Sequence, residues 1–242
     1  MSDIDVTARF YDEAAARYDA EIDSAAGNVQ LRDAFCRHVA THAGDGETII
    51  DFGAGTGTDA AWYAARGHRV IAYDISPRML SVLQSRCASE IERGSVAAVS
   101  GNLATLVHKL EHVDPVAAIA ANFAVLNHIA DLRPLLETLA PHLADDGVFV
   151  ASLLNPFYRG DMSQGWWWRS VPSAARGAIR VDGAVTTYRH FRSSVIRSAA
   201  PLFDLIEWRG GSTAGVGSTG RIASKRAMLD ENFVFAVLRK RR

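Results

Sequence analysis

Between residues 48 and 154, short apolar runs alternate with helix-patterned stretches, and this alternation restricts the chain to one class of fold. The runs are Thr48–Phe52, Arg69–Asp74, Val96–Ser100, Val116–Asn122 and Gly147–Leu154. Most are short and β-branched, as buried strands are. Val116–Asn122 is so rich in Ala that it also fits a helix. Helical stretches fall at 58–66, 77–88 and 132–143. Ser76 before Pro77 is an N-cap followed by proline at the first helical position, and Gly67 closes the first helix as a C-cap. Strands interleaved with helices build an open, mostly parallel α/β sheet. Right-handed crossovers then bring the carboxyl ends of the parallel strands to one face.

Helices are also expected at 6–22 and at roughly 28–43. Tyr11 and Tyr18 are seven residues apart and would share one face of the first. After Asn155-Pro156 the pattern changes. Trp166-Trp167-Trp168 precede a hairpin turning at Asp182-Gly183. A helix over 191–200, a strand over 202–208, a Gly/Ser-rich stretch over 210–220 and a strand over 231–240 complete the chain. The expectation is one domain, 1–242, with about seven strands in a doubly wound sheet, the last antiparallel. Its parts are an N-terminal helical cap (1–44), a core (45–155) and two insertions (156–190 and 209–230).

The 242 residues are 48% hydrophobic and 22% charged, an ordinary globular composition. No apolar run reaches the length of a membrane span, and the N-terminus carries acids where a secretion signal needs a basic and then an apolar stretch. Cys36 and Cys87 match no metal spacing and read as reduced thiols of a cytoplasmic protein. The net charge of −1 conceals an asymmetry. Residues 1–154 sum to −10 (11 basic, 21 acidic), and residues 155–242 to +9 (15 basic, 6 acidic). Such a split is a partner signal, although Arg-rich coding in a GC-rich genome produces the same bias.

Ile49-Ile50-Asp51-Phe52-Gly53-Ala54-Gly55-Thr56-Gly57 carries the chemistry. Glycines at a strand-to-helix turn permit tight backbone angles and a close approach by a ligand. Asp74 ends the next strand, 21 residues after Gly53, where an acid can accept hydrogen bonds from ribose hydroxyls. A dinucleotide site would place its third glycine at position 58, which here is Thr58.

The run of two apolar residues, an acid and GxGxG resembles the first motif of class I S-adenosylmethionine-dependent methyltransferases. The resemblance covers about residues 45–155. It implies that Gly53, Ala54, Gly55 and Gly57 form the loop under the methionine part of the cofactor. It further implies that Asp51 organises this turn, that Asp74 holds the ribose hydroxyls and that Ile75 packs on the adenine. Asn102 stands where such enzymes usually carry Asp, and with Leu103 would flank the base, its amide oxygen accepting from the adenine amino group. Asn122, Phe123 and Ala124 would lie beside the transferring methyl. Tyr11 and Tyr18 resemble a helix that covers the cofactor in small-molecule members, and read equally as packing aromatics.

Methyl transfer from a sulfonium is an in-line displacement that needs orientation first, and a general base only if the acceptor must lose a proton. His128 is the first candidate base, with His190 and Tyr188 next. Either histidine also reads as structural, and the six others as solvated. Both insertions should leave strands whose carboxyl ends face the ligand. Phe157, Tyr158, Arg159, Trp166 and Trp167 are therefore the candidate substrate residues. Packing in the core or in a homodimer is the alternative for the tryptophans. Basic and aromatic residues on a lid suit an anionic or aromatic small molecule. No metal is expected. RNA or protein methylation, S-adenosylmethionine binding without catalysis, and nicotinamide chemistry are the competing readings. A nucleic-acid partner is disfavoured because only Arg239-Lys240-Arg241-Arg242 form a dense basic cluster.

Overall fold

The structure, a computed structural model, describes residues 3–24, 26–211 and 228–242. Two helices, α1 (Asp3–Ala14) and α2 (Tyr18–Asp23), replace the single one expected over 6–22. The break leaves Tyr11 and Tyr18 on different helices, yet their rings meet edge to face at 6.0 Å. Helix α3 (Ala26–Ala43) leads into the alternating core of β1 (Thr48–Phe52), α4 (Thr58–Ala64), β2 (Arg69–Asp74), α5 (Pro77–Arg86), α6 (Ala88–Glu92), β3 (Val96–Ser100), α7 (Leu103–Leu110), β4 (Val116–Ala121), α8 (Arg133–Leu139) and β5 (Leu143–Leu154). Then come α9 (Arg159–Met162), α10 (Gly165–Ser170), β6 (Ala178–Val181), β7 (Thr187–His190), α11 (Arg192–Ala199), β8 (Phe203–Gly210) and β9 (Phe233–Lys240).

Seven strands form one sheet in the order β3-β2-β1-β4-β5-β9-β8. The first five are parallel, and β9 runs antiparallel to both β5 and β8. Alternate residues of each strand feed opposite faces. Ile50, Ile71, Tyr73, Ile119, Phe149 and Val234 pack with Leu106, Leu136 and Val195 of α7, α8 and α11. Ile49, Val70, Ala72, Val150 and Phe235 pack with Phe35, Tyr63 and Leu83 of α3, α4 and α5. Both faces are covered, which is why the strands read as apolar throughout. Among the described residues, no helix is long and apolar enough to cross a membrane.

Three local expectations change. The strand expected from Gly147 begins at Leu143, and the helix before it stops at Leu139, followed by a 3-10 turn over Ala140–His142. The hairpin strands β6 and β7 pair Val181 with Thr187, so the loop between them is longer than a two-residue Asp182-Gly183 turn. The Gly/Ser-rich stretch lies largely outside the described residues.

Candidate active site

The carboxyl ends of β1, β2 and β4 open onto a cavity of about 380 Å3. Its floor is the glycine loop after β1. The Gly53 and Ala54 N–H groups both donate to the Tyr73 carbonyl, at 2.8 and 2.9 Å. Gly53 has φ of +79°, and a Cβ there would meet Val125 at 2.5 Å. At Gly55, φ is +53°, and a Cβ would meet nothing within 4 Å, so the loop keeps the space above it clear.

Asp74 is pre-oriented by backbone. The Gly55 N–H donates to its Oδ2 and the Ser76 N–H to its Oδ1, each at 2.8 Å. Burial raises its pKa, and these two bonds hold it back. Ser76 caps α5 by accepting from the Met79 N–H at 3.1 Å, a bond of about 1 kcal/mol in such caps. Asp51 is buried, and its Oδ2 has no hydrogen-bond partner among the described residues. Burial, and then the Asp59 carboxylate, push it well above the usual carboxylate range.

Arg32 and Asp59 form a buried ion pair in the lining that sequence reading missed. Arg32 reaches from α3 to Asp59 Oδ1 at 2.6 Å, with both side chains largely buried. Asn122 Nδ2 donates to the other Asp59 oxygen at 2.8 Å, and its own Oδ1 accepts from the Phe123 N–H at 2.8 Å. The Arg32 guanidinium lies over the Phe123 ring, 4.7 Å from its centre. No local motif marks Arg32 or Asp59. The one available signal was a charged residue in each of two helices that otherwise present apolar faces to the sheet. Phe123 and Ala124 adopt φ of +47° and +65°. Two successive non-glycine residues in that region are strained, a state that clusters at functional sites.

Helices α1 and α2 roof the cavity. Asp12 accepts from Ser76 Oγ at 2.6 Å and from the Arg78 N–H at 3.1 Å. Asp19 accepts from Thr56 Oγ1 and pairs with Arg86, each at 2.5 Å. The Tyr11 hydroxyl lies 2.9 Å from His128 Nε2. Burial, with Asp74 nearby, raises the Tyr11 pKa to about 12, while burial lowers that of His128. Both groups are therefore neutral at pH 7 and share one hydrogen bond, whose direction is set by which ring nitrogen carries the proton.

Of the residues expected around the cofactor, Tyr11, Tyr18, Asp51, Gly53, Ala54, Gly55, Asp74, Ile75, Asn102, Leu103, Asn122 and Phe123 line this cavity, and His128 joins them. Gly57 and Ala124 do not. Gly57 sits at the N-cap of α4 under Leu83, and the Ala124 N–H turns away to the Ser152 carbonyl at 3.0 Å. The Asn102 oxygen is already engaged as the N-cap of α7, accepting from the Thr105 N–H at 3.1 Å. Its amide NH2 is the group left for a base.

The other catalytic candidates stand apart. His190 is buried with Nε2 bonded to the Ile129 carbonyl at 2.9 Å, and the Tyr188 carbonyl accepts from Asn127 Nδ2 at 2.6 Å. These bonds dock β7 on the turn after β4, and neither side chain lines the cavity. The substrate candidates are set aside too. Trp167 is buried, with Nε1 donating to the Pro156 carbonyl at 3.0 Å. Phe157 packs against Phe191 with ring centres 5.4 Å apart. The Tyr158 ring folds over Gly160, Arg159 pairs with Asp230 at 2.5 Å, and Trp166 lies beside Arg189. None of these rings lines the cavity, and Phe157 and Trp168 remain exposed.

Two histidines expected in solvent are buried. His68 Nδ1 lies 3.3 Å from the Glu47 carbonyl, and His38 joins His42 and Glu207 in a clasp between α3 and β8. The basic half is also less free than its count suggests. Arg159, Arg180, Arg189, Arg209, Arg241 and Arg242 face Asp230, Asp182, Asp161, Glu207, Asp204 and Asp146. The basic residues Arg221, Lys225 and Arg226 lie outside the described residues.

A parallel sheet continued by an antiparallel strand inside its far edge, with a glycine loop and an acid at adjacent carboxyl ends, is the Rossmann-like methyltransferase fold. The sequence profile of a family described as Methyltransferase domain matches residues 27–181. Demethylmenaquinone methyltransferase of Clavibacter sepedonicus is 44% identical over 82 residues, 33% of each chain, so the match spans a third of that relative's length. The fold superposes on 1,6-didemethyltoxoflavin-N1-methyltransferase of Burkholderia thailandensis with a TM-score of 0.61 at 17% identity, covering 100% of this chain and 92% of that one. Geranyl diphosphate C-methyltransferase of Streptomyces coelicolor gives 0.62 at 16% identity, covering 100% and 99%. The chain belongs to the methyltransferase-domain family, of the class I S-adenosylmethionine-dependent type.

Proposed function

We propose that this chain transfers the methyl group of S-adenosylmethionine to a small-molecule acceptor. The carrying observation is Asp74 fixed by the Gly55 and Ser76 N–H groups at the mouth of a cleared glycine loop. The cavity fits the cofactor electrostatically as well. Asp51, Asp59 and Asp74 surround a space with one cation, Arg32, on its wall, which suits a ligand carrying an ammonium, a sulfonium and a carboxylate.

Bound there, S-adenosylmethionine supplies an electrophilic methyl group open to in-line displacement. Asp74 would accept from the ribose hydroxyls, and Ile75 and Leu103 would pack on the base. Asp51, with its unpartnered oxygen, would receive the amino group, and Arg32 the carboxylate. The roof of α1 and α2 excludes water, which strengthens each of these contacts. For an acceptor that must lose a proton, Tyr11 and His128 form a relay. The tyrosine hydroxyl takes the acceptor's proton as its own passes to His128 Nε2.

On the sequence the acceptor is anionic or aromatic, and six of the fifteen basic residues in 155–242 already face carboxylates, which weakens the anionic reading. The two buried free thiols, Cys36 and Cys87, favour a reducing, cytoplasmic setting for a single-domain enzyme. Calorimetric titration tests the reading. S-adenosylhomocysteine should bind, and NAD should not. NAD binding without S-adenosylhomocysteine binding would overturn it.

A further inference from the structure

A second cavity, of about 350 Å3, lies beside the first, and Tyr11, Tyr18 and Phe123 line both. The first cavity is near the lower size limit for a single ligand, so a cofactor would occupy it and a second reactant would need its own space. The second cavity supplies that space across three shared residues. Phe10 and Phe233 extend its lining. Phe123 and Phe233 meet edge to face at 5.8 Å, and Phe10 and Tyr11 at 5.3 Å. Rings so arranged present both faces and edges to a planar guest, with a preference beyond the area buried.

Charge narrows the guest further. Arg17 and Glu21 are the charged residues among the described lining, and they pair with each other at 2.6 Å, more than half exposed. The cavity therefore offers a net-neutral rim and five aromatic rings, with Asn28 and Asn232 as its uncharged polar side chains. Phe10 is exposed at the edge, so the space is reachable from solvent.

We propose that this second cavity is the acceptor site and that it takes a neutral, planar aromatic molecule. The proposal rests on the methyltransferase reading above. Tyr11 is the residue through which the two sites meet. Its ring borders the acceptor space, and its hydroxyl is bonded to His128.

The test is calorimetric titration of the full chain saturated with S-adenosylhomocysteine. The probes are 2-naphthol, its anionic counterpart 2-naphthoate and the saturated decahydro-2-naphthol. 2-Naphthol should bind about tenfold more tightly than either of the others. Phe10→Ala and Phe233→Ala should each weaken 2-naphthol by about three- to tenfold, with S-adenosylhomocysteine affinity changed less than about twofold. Phe10 is exposed at the rim, so its variant folds even if Phe233→Ala does not. Equal or tighter binding of 2-naphthoate or decahydro-2-naphthol, binding of 2-naphthol to the free chain that is lost on saturation with S-adenosylhomocysteine, or an unchanged affinity in the variants would overturn the proposal. If S-adenosylhomocysteine binds and 2-naphthol does not, the aromatic site falls alone. If S-adenosylhomocysteine fails to bind, the methyltransferase reading falls, and the acceptor role with it.

Discussion

The Tyr11 hydroxyl and His128 Nε2 are hydrogen-bonded at 2.9 Å, joining the roof helix α1 to the turn after β4. Burial lowers the His128 pKa below its ordinary value of 6.5. The imidazole is thus neutral at pH 7 and protonates only in more acidic solution. Turnover should be flat near neutrality and fall on an acid limb below pH 6.5. His128→Ala should abolish that limb along with most of the rate for an acceptor that loses a proton. Tyr11→Phe, which removes the hydroxyl that takes the proton, should keep the fold and lose at least as much of that rate. A pH–rate profile of the three proteins is the measurement.

Asp74→Ala removes the acceptor of two backbone N–H bonds as well as the proposed ribose contact. The affinity for S-adenosylhomocysteine should fall by about 1–3 kcal/mol. Asp74→Asn, which keeps an acceptor oxygen, should lose less. Calorimetry on both variants checks this.

The loop glycines should divide by readout. Gly57 has φ of +82°, and a Cβ would meet Leu83 at 2.5 Å. Gly57→Ala should therefore destabilise the fold by about 2–3 kcal/mol, seen as a lower urea midpoint. At Gly55 a Cβ has open space. Gly55→Ala should cost only the left-handed backbone penalty of about 1 kcal/mol and act mainly on cofactor affinity. The reverse division would mean that Gly55 does not border the ligand.

Breaking the Arg32–Asp59 pair leaves a buried carboxylate uncompensated. Arg32→Met should destabilise by about 3–5 kcal/mol. Adding Asp59→Asn should recover part of that stability but not the cofactor affinity. Urea titration and calorimetry on the single and double variants separate the two effects.

His38 gives a stability signature. Burial, then the neighbouring Arg209, lower its pKa from 6.5 to about 4, with Glu207 opposing and His42 adding. The unfolded chain binds this proton more readily than the fold does. The contribution is therefore complete above pH 6.5 and is lost as pH falls toward 4. Between pH 7 and 4.5, wild type should lose about 2 kcal/mol relative to His38→Gln, measured by urea unfolding at each pH.

The core was legible because its signals are local. Short continuous apolar runs, Ser76 before Pro77 and the glycines of residues 53–57 each report on their own backbone. The break between α1 and α2 was not, since Ala14-Ala15-Ala16-Arg17 is strongly helix-forming and only the tie of Asp19 to Thr56 and Arg86 explains the turn. Arg32 and Asp59 are 27 positions apart, and nothing short of the folded sheet brings them together. The tryptophan cluster misled for a related reason. Leaving the ligand face of β5 does not oblige a segment to face the ligand, and Trp167 satisfies its indole N–H on Pro156 instead.

The helices α1 and α2 roof one cavity and wall the other through Tyr11 and Tyr18. Two ligands that order the same roof share its entropy cost, so the first to bind prepares the site for the second. Linkage then requires reciprocity. Whatever factor the cofactor adds to acceptor affinity, the acceptor must return. On the proposed two-site reading, release of the methylated product would then loosen the hold on the spent cofactor.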